Sequence, residues 1–241
     1  MEKREKFLKL LKESEKISVI TGAGISAESG VPTFRGKDGL WKNYKAEELA
    51  TPYAFSRNPE LVWEWYNWRR ELISKCKPNP AHYFLTNLEK KKEDFLLITQ
   101  NVDGLHRKAG TKKLVEIHGS IWKIKCTKCT YIEENWDVPL KFPPLCPKCN
   151  ELLRPAVVWF GESLNYNDIE KSINHINSSN LLIIIGTSGV VQPVASFPLQ
   201  GRQNNPHLKI VELNISETPI TSYTDIFIKC KSGEFLKDIK L

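Results

Sequence analysis

Two cysteine pairs, Cys126-Thr-Lys-Cys129 and Cys146-Pro-Lys-Cys149, stand sixteen residues apart. C-x2-C followed at that distance by a second C-x2-C is the spacing of a tetrahedral four-thiolate zinc ribbon. With four cysteine ligands and no open position, the site is expected to be structural, with Cys126, Cys129, Cys146 and Cys149 around one zinc ion. The surrounding stretch, 121–154, carries Pro139, Pro143, Pro144 and Pro147 and few aliphatic residues. A segment of that composition needs a metal to hold a core, which sets it apart as a small module. Cys76 and Cys230 stand alone and read as small buried hydrophobes. Close thiol pairs without a disulfide framework suit a reducing compartment.

The rest of the 241 residues, in a chain 41% hydrophobic, can bury one sizeable core. Short β-rich runs recur at 17–20, 95–98, 181–185 and 208–213, with a weaker one at 225–228 and helical stretches between them. Runs that are apolar throughout suit strands covered on both faces, so the expected fold is α/β with a doubly wound parallel sheet. Phe7, Leu8, Leu10 and Leu11 put an apolar stripe on an amino-terminal helix. A second helix, 58–74, with Trp63, Tyr66 and Arg70 in register, lies in an insertion. The expected division is an α/β core at 1–40, 77–120 and 155–241, a helical insertion at 41–76 and the zinc-binding module at 121–154.

The longest purely apolar run, 181–185, is far short of the roughly 20 residues of a membrane-spanning helix. Residues 1–16 mix Glu2, Glu5, Glu13 and Glu15 with lysines and lack the apolar stretch of a signal peptide. No membrane partner and a cytoplasmic location are expected. Although the net charge is +7, Lys and Glu are interspersed, so direct nucleic-acid binding is not expected. Lys123, Lys125, Lys128 and Lys148 on the zinc module keep a nucleic-acid-binding ribbon open as a rival reading.

The run 17–20 leads directly into Gly22-Ala23-Gly24-Ile25-Ser26-Ala27, a G-x-G-x-x-A turn after a strand, where small residues let backbone amides approach a pyrophosphate. A tight turn that merely needs glycine explains the same pattern. A hydride-transferring dehydrogenase should show an Asp or Glu roughly 20 residues further on, ending the second strand. That region reads Gly39-Leu40-Trp41-Lys42-Asn43-Tyr44 instead. A dinucleotide fits and the dehydrogenase arrangement does not, while the loop 29–41, with Phe34 and Arg35, is placed to cover a ligand.

The run 95–98 ends in Thr99-Gln100-Asn101-Val102-Asp103-Gly104, which puts Gln100, Asn101 and Asp103 at the carboxyl rim of a strand, where open α/β sheets bind ligands. An amide and a carboxylate there can hold a carboxamide; an Asx turn into a helix is the plainer reading. Residues 115–118 are expected to form another short strand whose last residue, His118, is followed by Gly119 and Ser120. A histidine at that rim is placed to act as a general base near neutral pH.

Taken together, 22–36, 99–106, His118-Gly119-Ser120, the two cysteine pairs and Gly186-Thr187-Ser188 resemble the sirtuin (Sir2) family, in the family's order, over residues 17–232. The resemblance implies a Rossmann-like sheet with NAD across its rim and an acyl-lysine of a cellular protein entering between sheet and zinc module. His118 would be the catalytic base, with Asn101 also catalytic. Asn101 and Asp103, with Ile25 and Ser26, would form the nicotinamide pocket; Phe34 would shield the reactive carbon and Arg35 order the loop near the phosphates. The backbones of Gly22, Ala23, Gly186, Thr187 and Ser188 would meet phosphate and ribose. Gln100 would lie at the reacting ribose, Asn214 at the adenosine and Ser232 at the adenine. Gly24, Trp41, Val102, Ile215 and Ser216 complete the expected cofactor set. The segment 157–162, with Val158, Phe160 and Gly161, resembles the strand that pairs with the substrate backbone. The products would be lysine, nicotinamide and O-acyl-ADP-ribose, with ADP-ribosyl transfer to protein as a rival activity.

Tyr66 and Arg69 are three apart on one helix and able to converge on one ligand group, and an arginine with a phenol suits a carboxylate. An aromatic helix packed on the core with Arg69 at the surface is the plainer reading from residues alone. The Tyr-x-x-Arg pattern resembles the pair that class III sirtuins use for succinyl- and malonyl-lysine, and Ala50 falls where that class keeps a small residue. Desuccinylation or demalonylation beside deacetylation is therefore expected.

Overall fold

Runs with no polar face are satisfied only inside a covered sheet, and that is where they lie. The computed structural model describes residues 2–32, 40–41 (backbone only) and 44–241. Phe34 and Arg35, and the side chain of Trp41, lie outside the described residues. The chain begins with α1 (Glu2–Glu13), β1 (Lys16–Thr21) and the short α2 (Gly24–Ala27), then a hairpin of β2 (Leu40–Trp41) and β3 (Tyr44–Lys45). The helices α3 (Ala46–Leu49), α4 (Pro52–Arg57), α5 (Pro59–Ser74) and α6 (Pro80–Lys91) lead to β4 (Asp94–Thr99), α7 (Leu105–Ala109) and β5 (Leu114–Glu116). Next come β6 (Gly119–Cys126), β7 (Ile132–Glu134) and β8 (Leu153–Val157), and then α8 (Tyr166–Asn177), β9 (Leu181–Ile185), α9 (Phe197–Asn204), β10 (Lys209–Asn214), β11 (Ile226–Lys229) and α10 (Ser232–Leu236).

Six strands form a parallel sheet in the order β11-β10-β9-β1-β4-β5. Alternate residues feed two apolar layers. Ile17, Val19, Leu97, Ile183 and Leu213 pack with Phe7, Leu11, Leu85, Leu88 and Leu236 on one side. Ile20, Ile98, Leu182, Ile184 and Ile210 meet Ile176 and Phe197 on the other. Each such side chain contributes about 1.5–3 kcal/mol on leaving water. From β1 the chain proceeds outward through β4 and β5, then returns to the opposite side of β1 as β9. The strand order therefore reverses between β1 and β9, and a ligand crevice forms at the carboxyl ends beside such a reversal.

A three-stranded antiparallel sheet, β7-β6-β8, stands apart. Residues of the stretch 121–154 bury an apolar face after all: Ile121, Trp122, Ile124 and Leu153 pack into one core with Val62, Trp63, Trp65 and Tyr66 of α5. The scarcity of aliphatics in that stretch is compensated from outside, by the helix. Asn58 caps α5 by accepting from the Leu61 N–H at 3.0 Å, with Pro59 at its first position. Cys76 is buried, whereas Cys230 is only half-buried. No described helix is long and apolar enough to cross a membrane.

His118 departs from its expected position as the last residue of a strand. β5 ends at Glu116, and His118 occupies the turn into β6. The turn forms because Gly119 takes φ +79° with its Cα tight against the Ala156 carbonyl, where a Cβ would come within 2.1 Å of oxygen.

Candidate active site

The four sulfurs of Cys126, Cys129, Cys146 and Cys149 lie within 4.8 Å of one another. Zn–S bonds of about 2.3 Å in a tetrahedron place sulfurs about 3.8 Å apart. The Cys126–Cys149 and Cys129–Cys146 separations are 3.4 and 3.6 Å. Backbone N–H groups of Cys129 and Lys128 donate to the Cys126 sulfur at 3.4 and 3.3 Å and pull that thiol down to about 6, toward the thiolate a metal binds. The set fits one structural zinc ion.

The carboxyl ends of β1 and β9 converge on the sheet's reversal point. Gly24 N–H donates to the Gly186 carbonyl at 2.8 Å, and Gly22 N–H to Ile185 at 3.0 Å. A Cβ on Gly22 would come within 2.8 Å of Gly186 O and Thr187 Cα, and one on Gly24 within 2.7 Å of Gly186 Cα. The glycines are therefore required for two turns to touch, and Gly186 itself takes φ +62°. Ala23, Ile25 and Ser26 belong to the first of these turns, with Ile25 and Ser26 buried on α2; Ser188 continues the second. Asn214, at the end of β10, donates Nδ2–H to the Thr187 carbonyl at 2.7 Å, and its Oδ1 accepts the Ile215 N–H. Ile215 and Ser216 are exposed beyond it. Ser232, past the end of β11, is buried, and its hydroxyl has no partner among the described residues. These residues all sit at or just past the carboxyl ends of β1, β9, β10 and β11, the rim where open α/β sheets bind ligands.

From β4, Gln100 donates Nε2–H to Thr187 Oγ1 at 3.0 Å. Asn101 Nδ2 donates to Gly22 O at 3.1 Å and Ser26 Oγ at 3.2 Å. Val102 is buried and accepts the Ile121 N–H through its carbonyl at 3.1 Å. Asp103 is buried; desolvation raises its carboxyl, opposed chiefly by the Leu105 N–H that it accepts at 2.8 Å. Ser26, Asn101 and Asp103 thus form one polar cluster at the mouth of β1 and β4.

His118 is half-buried, with Nδ1 3.0 Å from the Gln100 carbonyl. A carbonyl only accepts, so the proton sits on Nδ1 and the Nε2 lone pair is left to take another. Burial lowers the imidazolium pKa below its ordinary value, against the pull of that carbonyl. The His118 carbonyl accepts the Val158 N–H at 2.9 Å, and Ala50 accepts from Phe160 at 2.9 Å, so His118, the 157–162 segment and Ala50 are tied together. Gly161 takes φ +88° with open space around it, and Phe160 is half-exposed.

Tyr66 and Arg69 are 2% and 7% exposed, which removes the reading of Arg69 as a surface group. Tyr66 Oη accepts from Trp159 Nε1 at 2.9 Å, and burial pushes the phenol up to about 12. Arg69 lies close enough to Tyr66 and Asp103 for both to oppose the effect of its burial.

Sequence reasoning did not single out His82 and His106. Both are buried, their rings 4.8 Å apart, under Ser26 and Thr21. The signal available was Asn79-Pro80-Ala81-His82, a helix start whose third residue accepts back from the cap's N–H, here at 3.2 Å. Burial lowers His82 to about 4. Because the unfolded chain binds a proton near 6.5 and the folded one does not until about 4, stability falls as pH drops between those values. Replacement by glutamine is expected to lessen the fall of the melting temperature across that window, with His106, also lowered by burial, keeping part of the slope; an unchanged slope in thermal melts would assign the loss elsewhere.

The Sir2 family model matches residues 22–193. A protein of Aquifex aeolicus (strain VF5) named NAD-dependent protein deacylase is 51% identical over 228 residues, 94% of this chain and 95% of that protein. One of the same name from Pyrococcus abyssi (strain GE5 / Orsay) is 48% identical over 234 residues, 95% and 93% of the two chains. Among solved structures, a Sir2 homolog–NAD complex superposes with a TM-score of 0.90 at 46% identity, covering 97% of this chain and 91% of that one. A Sir2 protein bound to acetylated peptide gives 0.85 at 32%, covering 97% and 95%. With the family's glycine turns, polar rim, histidine and four thiols brought together in one fold, the chain belongs to the Sir2 family.

Proposed function

We propose that this chain, an NAD-dependent protein deacylase, removes acetyl groups and also succinyl or malonyl groups from lysine side chains of cellular proteins. Lysine, nicotinamide and O-acyl-ADP-ribose are the products. Relatives named NAD-dependent protein deacylase, and Sir2 structures containing NAD or an acetylated peptide, support the reaction class. The four thiols suit a reducing, cytoplasmic setting.

Bound NAD would supply the electrophilic ribose carbon, which gains a bond to the acyl oxygen as its bond to nicotinamide breaks, with one water consumed as the amide C–N bond opens to release lysine. Asn101 and Asp103, with Ser26 and Ile25, hold the carboxamide; Gln100 orders the ribose next to His118. With its proton fixed on Nδ1 by Gln100, His118 takes a ribose hydroxyl proton at Nε2. The glycine turns and Ser188 bring backbone amides to the phosphates, while Asn214, Ile215, Ser216 and Ser232 line the adenosine end. The segment carrying Val158, Phe160 and Gly161 seats the substrate backbone.

The observation that carries the acidic-acyl reading is the joint burial of Tyr66 and Arg69 one helical turn apart, beside the chain that holds Ala50. A guanidinium and a phenol held on one helix face suit a carboxylate, which can accept from both. The test is mass spectrometry of matched acetyl- and succinyl-lysine peptides with and without NAD, using wild type and Arg69→Met. The substitution is expected to lower the succinyl-to-acetyl ratio of kcat/KM by about a hundred-fold, as loss of one partner from a buried charge pair does. Equal losses on both peptides would remove Arg69 from acyl selection.

A further inference from the structure

We infer that Trp159 is a specificity-determining residue that selects for carboxylate-bearing acyl groups by fixing the direction in which the Tyr66 phenol donates; the inference rests on the acidic-acyl reading of Tyr66 and Arg69. An indole N–H only donates, and Trp159 Nε1 aims at Tyr66 Oη from 2.9 Å, both side chains being 2% exposed. A phenol O–H prefers the plane of its ring and so has two orientations. The indole hydrogen occupies one of them, and the phenol hydrogen must take the other. Desolvation holds the phenol protonated, so it remains a donor throughout the neutral range. An acyl carboxylate between this hydrogen and Arg69 would accept from both.

The indole is itself immobilised. The Arg154 guanidinium lies 3.3 Å from its ring centroid, and Phe55 packs against it at 5.2 Å. Arg154 in turn donates to both Glu162 oxygens, at 2.5 and 2.9 Å, and to the Val157 carbonyl at 2.9 Å. Glu162 closes the circle by accepting the Trp159 N–H at 2.8 Å. The segment proposed to seat the substrate backbone thus also orients the acyl-reading phenol. A phenylalanine at this position would keep an aromatic ring but leave the Tyr66 hydroxyl free to turn.

Trp159→Phe, Tyr66→Phe and the double variant would be assayed on matched acetyl- and succinyl-lysine peptides. Trp159→Phe is expected to raise the succinyl-to-acetyl KM ratio about five-fold, the scale of one hydrogen bond. In the Tyr66→Phe background the same change should leave that ratio within about two-fold, since the partner is already gone. Equal KM changes on both peptides, or full additivity, overturn the inference. Indole NMR of 15N-labelled protein gives a readout independent of activity. The Trp159 Nε1–H resonance, assigned by its loss in Trp159→Phe, should move in Tyr66→Phe. An unmoved resonance overturns the orienting role even where succinyl turnover stands. A resonance that moves in a protein that ignores succinyl peptide refutes the acidic-acyl reading, and the specificity role falls with it.

Discussion

Replacing His118 with alanine is expected to lower deacylation about a thousand-fold, the range general-base catalysis supplies, without a matching loss of stability. The side chain is half-buried and its one described hydrogen bond is from Nδ1 to Gln100 O. The contact that ties this turn to the 157–162 segment, Val158 N–H to His118 O, belongs to the backbone and survives the substitution. Turnover should therefore fall by that factor while the melting curve stays close to that of wild type. The pH profile gives the sign. The base must be neutral to accept a proton, so rate is retained at high pH and lost as pH falls through the His118 pKa. Burial depresses that pKa, which places the limb below the ordinary value near 6.5 and leaves the rate flat through neutrality. A limb centred above 7, or a variant that keeps wild-type kcat, would take His118 out of the mechanism.

Much of this was legible in the chain itself because the signals are local. Runs without a polar face announce covered parallel strands, and the observed β9 coincides with the run 181–185. Two C-x2-C pairs fix a metal site at any orientation of the module, and a glycine turn directly after β1 marks the rim. What could not be read was which surfaces meet. Helical spacing sets Tyr66 and Arg69 on one face of α5, but nothing local says that Trp159, 93 residues on, donates to Tyr66 and ties that face to the 157–162 segment. His82 was hidden for the same reason, since its role depends on α6 being carried under Ser26. His118 was displaced from its expected strand end by Gly119, whose close approach to Ala156 is a contact between β6 and β8.

Cys126→Ala, or removal of zinc by a chelator, is expected to melt the small sheet and abolish activity while leaving the parallel sheet folded. Structural zinc contributes roughly 10–16 kcal/mol of apparent binding free energy, comparable to the whole net stability of a domain. The loss should spread in a defined direction. β6 runs from the His118 turn to Cys126, and along it Trp122 donates Nε1–H to the Asp103 carbonyl at 2.7 Å. The same indole packs so closely on Gly104 that a Cβ there would lie 2.7 Å from its Cδ1. On its other contacts it meets the Arg70 guanidinium at 5.3 Å and stacks on Trp136 at 4.8 Å. Trp63 of α5 donates to Leu153 O on β8 at 2.9 Å. Loosening β6 and β8 therefore withdraws support from Asp103, proposed to hold the carboxamide, and from the helix bearing Tyr66 and Arg69. β1, β9 and β10 have their own two cores and share neither contact. Hydrogen exchange should show amides of β6 and β8 opening while those of β1, β9 and β10 stay protected, with the first melting transition lowered by more than about 10 °C. Were exchange in β6 unchanged without metal, the core shared with α5 would be sufficient on its own, and the four thiols would have to be assigned a role other than holding the module.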